Sequence, residues 1–344
     1  MRTILNNTSA FRIAIAILAA FTFGLSHAAD MVVDAAGKGD FKTVQAAVDS
    51  VSAGNKERVR ILIRPGTYTE KLVVRKPLVS FIGQGAKPEE TVLTFNQSAV
   101  STKPDGKAGE TVGTTGSAST LVTGNDFVAE NLTFANSTPD NVAQAVALKT
   151  QADRLAFKNC RFLGFQDTLY PTAGRQYFKD CYITGDTDFI FGNATAVFDH
   201  CTINSSDAGF VTAANTKPET PHGFVFLDCT LTATDAAAKR PGTTFLGRPW
   251  QWDRGTKASV AYIRTKIGPH IAEAGWNPWD LRNNTHPDQT TRYTEYQSTD
   301  AAGKPLDVSK RVAWAHQLTD AEAAEFTVEK LLGGEDHWDP AAAF

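Results

Sequence analysis

The sequence predicts an all-β chain wound into a parallel β-helix, and three observations carry that prediction. Four short stretches resemble one another: FKNCRF (157–162), FKDCYI (178–183), FDHCTI (198–203) and FLDCTL (226–231). Their cysteines, Cys160, Cys181, Cys201 and Cys229, are all the cysteines of the chain and lie 21, 20 and 28 residues apart. A period near 20 residues, filled with β-branched and aromatic side chains and punctuated by Gly, Asn and Asp, suits one coil of a solenoid. Such coils stack at roughly 4.8 Å, the spacing of paired strands. The third observation lies at the ends, where amphipathic segments suited to covering an open coil flank the repeats. Leucine-rich repeats share the period, but the L-x-x-L-x-L pattern is missing; a β-sandwich of evenly spaced short strands is the other architecture the spacing allows.

Taken in order, residues 1–29 read as a secretory signal peptide. Arg2 and Arg12 carry positive charge, the apolar run 13–25 is short for a bilayer span, and SHAA (26–29) offers small residues for cleavage. The remainder, 30–344, is expected to form one β-helical catalytic domain, secreted and free of the membrane after cleavage. Residues 39–54 read as a helix with Asp40 as N-cap. ILIRPGTYTEKLVV (61–74) and DFVAENLTF (126–134) are early strand-and-turn coils, and 318–334 reads as a C-terminal helix begun by Thr319. No linker divides the chain. Hydrophobic residues make up 42 %, enough for a large core, and a formal net charge of −3 gives no reason to expect nucleic acid or an anionic membrane surface.

The period aligns polar groups as well as cysteines. Asp167 follows Cys160 by seven residues and Asp188 follows Cys181 by seven. In register, QAVAL (144–148), QDTLY (166–170) and TDFIF (187–191) set Gln144 over Gln166 and Asp167 over Asp188. Stacked Asn, Gln and Asp can form a purely structural ladder, but like charges directly opposite one another destabilise a sheet. Two carboxylates one strand spacing apart cannot both ionise freely, so one pKa should rise unless a cation intervenes. One geometric obstacle stands: neighbours on a regular strand face opposite ways, so Gln166 and Asp167 can share a site only at a bend or strand end.

These groups suit carboxylate chemistry. There is no G-x-S-x-G for a serine elbow and no G-x-G-x-x-G for a dinucleotide, and the seven histidines lack metal-ligand spacing. No metal or organic cofactor is therefore expected. Glycoside hydrolysis and acyl transfer through an Asp nucleophile both need a carboxyl pair, and only the second also needs donors for an oxyanion. The amides of Gln144 and Gln166 are such donors, which tilts the choice toward ester hydrolysis.

Five motifs then carry a resemblance. GTYTE (66–70), QAVAL, FQDTLY (165–170), DFIFG (188–192) and LGRPW (246–250) stand in the order of the signature motifs of the pectin methylesterases, and the likeness spans about 31–340. The resemblance implies a right-handed parallel β-helix that hydrolyses the C6 methyl esters of homogalacturonan to pectate and methanol. It implies Asp188 as nucleophile, Asp167 as general acid and then base, Gln144 and Gln166 as oxyanion donors, and Arg248 as the cation that holds the nucleophile and keeps it ionised. Trp250 is implied to line the sugar groove; Tyr170 and Phe191 are candidates for the same face or for the core. A monomer is expected. The alternatives are a relative acting on a non-pectin ester or thioester, a polygalacturonase or pectate lyase, and a noncatalytic polysaccharide-binding solenoid.

The cysteines bear a last expectation. Equivalent Cα atoms one coil apart lie within reach of a disulfide, and a secreted chain can keep one. A Cys181–Cys201 bridge is favoured over the pair 160–181 with 201–229, and simple stacking as small apolar groups is the third possibility.

Overall fold

The computed structural model describes residues 30–107, 109–250, 255–279 and 286–344; the signal-peptide reading of 1–29 lies outside them. The described chain is a right-handed parallel β-helix with three faces. One face is an eleven-stranded parallel sheet running from Met31–Val33 to His316–Gln317. The other two form one continuous sheet, because the long strands Tyr182–Gly192 and Thr202–Ala214 bend from one face into the next.

The repeated hexapeptides are the interior rungs of the first face. Phe157 pairs in register with Phe178, Phe178 with Phe198, Phe198 with Phe226, and Phe226 with Tyr262. Their rings stack nearly parallel, with centroids 4.7, 4.8, 4.7 and 4.5 Å apart. The strand spacing thus becomes the ring spacing, and a column of aromatic area is removed from water. Just beyond each rung the chain turns through a residue in the left-handed region: Asn159, Asp180, His200 and Asp228, each followed by its cysteine. Asn and Asp tolerate that conformation best, which explains the polar residue before each Cys.

Inside this column the cysteines are free and buried. The expected Cys181–Cys201 bridge is not formed. Each thiol instead lies within donating distance of two main-chain carbonyls, one on the coil before and one two residues back in sequence; for Cys201 these are Phe178 O at 3.3 Å and Asp199 O at 3.6 Å. In-register stacking makes the Cβ directions parallel, so the sulfurs follow the carbonyl ladder instead of converging on one another. Burial pushes the Cys181 and Cys229 thiols up, away from the reactive thiolate. Titration of denatured, unreduced protein is expected to find four thiols per chain; two would restore a single bridge.

The ends differ in detail from the sequence reading. The first helix is Val44–Ser50, capped by Thr43, whose hydroxyl accepts from Ala46 N–H at 3.3 Å. Asp40 instead accepts from Val32 N–H at 2.8 Å and pins the first strand. This helix buries Val44, Ala47 and Val48 over the first coil. At the other end two helices replace one: Asp320–Ala323, with Thr319 and Glu322 forming a capping box, and Val328–Leu332, capped by Thr327. Thr327 is extended and takes the N-cap role, which interrupts the run. Leu331 and Leu332 pack against Tyr177, Val197, Val225 and Ile263, the outward side chains of the first face, so this segment covers a flank. Leu306, Val312 and Trp314 pack onto the last coils of the central core.

Candidate active site

The third face carries the site. It comprises Leu72–Val74, Thr120–Val122, Leu148–Thr150, Leu169–Pro171, the second half of Tyr182–Gly192, the second half of Thr202–Ala214, and Thr244–Pro249. Leu148 pairs with Leu169 and Leu169 with Ile190, which sets Asp167 over Asp188 as the sequence register predicts. Ahead of Leu148 the register slips by one: Ala145 N–H donates to Gln166 O, and the amides of Ala147 and Leu148 both reach Thr168 O. That slip is what brings Gln144 over Gln166.

The obstacle of neighbours facing opposite ways is removed by backbone conformation. Asp167 has φ 66° and Asp188 φ 53°, both in the left-handed region. Asp167 lies in the turn before Leu169–Pro171. Asp188 lies inside Tyr182–Gly192, where the pairing with the next strand shifts between Thr187 and Ile190. In both places the local reversal lets successive side chains share a face. Backbone held in a sparsely populated region costs energy and is concentrated at functional sites. Gln144, Gln166, Asp167, Tyr170, Asp188, Phe191, Arg248 and Trp250 all line one open cleft of about 720 Å³. The structure brings together every candidate residue named from the sequence.

Arg248 reaches Asp188 across two strands. Nε donates to Oδ1 at 2.8 Å and an Nη to Oδ2 at 2.6 Å, a bidentate pair. Gly247 permits the close approach of its strand, since a Cβ there would collide with the Thr212 side chain. Two rings hold the guanidinium: the centroids of Phe210 and Trp279 lie 3.8 Å and 3.9 Å from its central carbon. Two rings that close to one planar carbon must occupy opposite faces, so Arg248 has its orientation fixed by stacking and its edge by the carboxylate.

The two carboxyls are nearly buried, Asp167 7 % and Asp188 5 % exposed. Burial pushes Asp167 well above the usual carboxylate range, and the negative charge of Asp188 pushes it further; Arg248 opposes both. No hydrogen bond from a described residue favours the charged form of Asp167. Asp188 is also raised by burial, but its hydrogen bonds from Arg248 pull it back. The expectation that Arg248 simply keeps Asp188 ionised is therefore refined. Burial is the larger effect, and the guanidinium limits it, leaving Asp167 the more easily protonated of the two.

The aromatic candidates divide by exposure. Phe191 is 3 % exposed and lies under Tyr170, with ring centroids 4.0 Å apart and planes 14° from parallel. Trp250 stands 5.8 Å from Phe191 and 6.2 Å from Tyr170 at a tilt. Phe191 therefore supports a platform whose accessible rings are Tyr170 and Trp250. Sequence reasoning misses Phe210, which clasps Arg248 together with Trp279, and Asn193, Asn215, Thr114 and Thr115, which also line the cleft. In the sequence, Trp279 suits a loop brace as well as a substrate contact. Phe210 follows the shifted pairing of the strand that carries Asp188, so a period counted along the chain does not place it.

A carboxyl pair, an arginine and unpaired amides in the open groove of a solenoid suit ester hydrolysis, and the comparisons supply the class. A Pectinesterase family model matches residues 30–335. Pectinesterase 31 of Arabidopsis thaliana is 42 % identical over 304 residues, covering 87 % of this chain and 90 % of its own length. The pectin methylesterase from carrot superposes with a TM-score of 0.80 at 33 % identity, covering 91 % of this chain and 96 % of that one. A pectin methylesterase mutant solved in complex with a hexasaccharide gives 0.76 at 30 % identity, over 92 % and 99 %. The chain belongs to the pectinesterase family, whose members are carboxylic ester hydrolases acting on pectin methyl esters.

Proposed function

We propose that Asp188 is the nucleophile of a two-step hydrolysis of the C6 methyl ester of galacturonate units in homogalacturonan. One Asp188 carboxylate oxygen attacks the ester carbonyl, whose C=O electron pair moves onto oxygen. The side-chain amides of Gln144 and Gln166, which have no partner among the described residues, line the cleft and donate to that oxyanion. Collapse breaks the bond to the methoxy group, and Asp167 gives its proton to the departing oxygen, releasing methanol. An acyl-anhydride on Asp188 remains. Asp167, now ionised, takes a proton from water as the water oxygen adds to C6, and collapse returns the Asp188 carboxylate and the free galacturonic acid.

The observation that carries this reading is asymmetric: of two stacked aspartates with left-handed backbone, only Asp188 is paired with an arginine. That asymmetry supports a base and an acid coexisting at one pH. The hexasaccharide complex of the related esterase supports an oligosaccharide in the groove. The basic and apolar N-terminal run supports secretion, and among the described residues no helix is long and apolar enough to cross a membrane.

Methanol release from methyl-esterified polygalacturonate tests the reaction and separates it from a lyase or glycosidase. Gln166→Ala is expected to lower kcat on the order of 10²-fold with little change in KM. A loss confined to KM would make Gln166 a ground-state contact only.

A further inference from the structure

A buried ion pair lies behind the cleft, at the last coils of the solenoid. Glu295, on Thr291–Tyr296, is fully buried, and the Arg311 side chain that meets it is only 5 % exposed. Arg311 Nε donates to Oε1 at 2.8 Å and Nη2 to Oε2 at 3.0 Å, a bidentate pair. Its Nη1 donates to the carbonyl oxygens of Glu273 at 2.9 Å and Ala272 at 3.3 Å. Trp276 Nε1 donates to Glu295 Oε1 at 3.3 Å, and the Trp276 ring stacks on Tyr293 with centroids 4.2 Å apart. Gly275 leaves room for the guanidinium, since a Cβ there would collide with the Arg311 side chain.

These bonds converge on 272–276, and that segment lies beside the strand of Arg248. Ala272 N–H donates to Thr244 O at 2.7 Å, Leu246 N–H to Gly275 O at 2.7 Å, and Asn277 N–H to Gly247 O at 3.0 Å. Asn277 Oδ1 in turn accepts from Trp279 N–H at 2.8 Å, and Trp279 takes a left-handed backbone with φ 73°. Trp279 is one of the two rings that cover the Arg248 guanidinium. A connected path thus runs from the Glu295–Arg311 pair to the cation that holds Asp188. An apolar pair of similar volume often fills a core as stably as a buried ion pair does. What the ion pair adds is direction, because its donors and acceptors are all used and fix 272–276 in one place.

We propose that Glu295 and Arg311 are positioning residues for the reaction in the cleft: they fix 272–279 so that Trp279 stays closed on Arg248 and Arg248 stays aimed at Asp188. This role rests on the ester-hydrolase reading of the cleft, and neither residue touches substrate. With 272–279 loosened, water reaches the face of the guanidinium that Trp279 covers, and the carboxyl pair feels less of its cation. Asp188 faces Arg248 and Asp167 within the cleft and Tyr293 from the core; Asp167 faces Asp188, Arg248, Asp186 and Tyr170. Burial pushes both tyrosines up, so they stay neutral. Among these described groups only Arg248 lowers either carboxyl. Weakening its hold therefore raises both protonation steps of the pair.

The test is the pH dependence of kcat/KM for methanol release from methyl-esterified polygalacturonate. It compares the unsubstituted protein with Glu295→Gln and with the double variant Glu295→Leu, Arg311→Met, which removes both charges and refills their volume. Circular dichroism and Tm report that the variants are folded. Both are expected to lose on the order of 10-fold in kcat and to move both limbs of the profile upward by about half a pH unit. A purely structural role would reduce the amount of active protein and leave the limbs in place. Trp279→Ala should move the limbs the same way, and combining it with the double substitution should move them little further. Unmoved limbs in a folded double variant overturn the proposal. So does a double variant that cannot fold, which would make the pair a requirement of the core alone, or a shift that adds in full to that of Trp279→Ala. If the unsubstituted protein releases no methanol, the ester-hydrolase reading itself is overturned.

Discussion

Asp188→Asn is expected to lower kcat by roughly 10⁴-fold or more while the protein remains folded. The amide has nearly the shape of the carboxylate but carries no anionic oxygen to attack an ester, so the acylation step loses its nucleophile. The fold should tolerate the change because the strand Tyr182–Gly192 is held by its ladders to both neighbours and by core residues Ile183, Phe189 and Ile190, none of which is altered. Arg248 keeps Phe210 and Trp279 on its faces, and the oxygen of the introduced amide leaves it one acceptor in place of two. Circular dichroism together with methanol release checks both halves. Near-normal turnover by a folded variant would remove Asp188 from the chemistry.

Asp167→Asn is expected to cost on the order of 10²- to 10⁴-fold in kcat, because an amide can neither protonate the methoxide nor deprotonate water. The same substitution should raise thermal stability near neutral pH. Asp167 is raised well above its ordinary 3.8 by burial first and then by the charge of Asp188. The folded protein therefore binds this proton more tightly than the unfolded chain does. Stability associated with the group is fully present below pH 3.8 and is lost as pH rises through the folded-state pKa. At neutral pH the carboxyl is a net cost, kept for function. Tm of Asp167→Asn should exceed that of the unsubstituted protein at pH 7, and the gap should close as pH falls toward the ordinary carboxylate value. A lower Tm at pH 7 would mean that Asp167 stabilises the turn it occupies. The two losses in kcat should combine far less than multiplicatively in the double variant, since both groups act on one pair of steps.

Much of this molecule is legible along the chain because a solenoid turns sequence period into spatial neighbours. The spacing of Phe157, Phe178, Phe198 and Phe226 is the stack itself. The same arithmetic puts Asp167 over Asp188. Features that break the period are beyond its reach. The left-handed backbone at Asp167 and Asp188, the register slip beside Gln144 and the shift at Thr187 are local departures, and they are what aim the side chains. Phe210 and Trp279 reach Arg248 from beyond such departures, so no spacing announces them. For the cysteines the period gives the right position and the wrong chemistry. Proximity of Cα atoms permits a bridge, whereas the parallel direction of their Cβ atoms turns each thiol toward a carbonyl. At the C-terminus the capping chemistry of Thr319 is readable, but the surface on which Leu331 and Leu332 pack depends on which outward positions of the first face are apolar.

The central claim is a covalent intermediate on Asp188, and an aryl ester of a galacturonate oligomer exposes it. An aryl oxide leaves without help from an acid, so Asp167→Asn should still be acylated, and without its base it should deacylate slowly. The variant is expected to release a burst of one aryl oxide per chain. Acid-quenched protein should then carry the mass of one oligogalacturonoyl group, and the adduct should be absent when Asp188→Asn is added. Linear release without a burst, or an adduct that persists in the double variant, would contradict the assignment of Asp188 as the nucleophile.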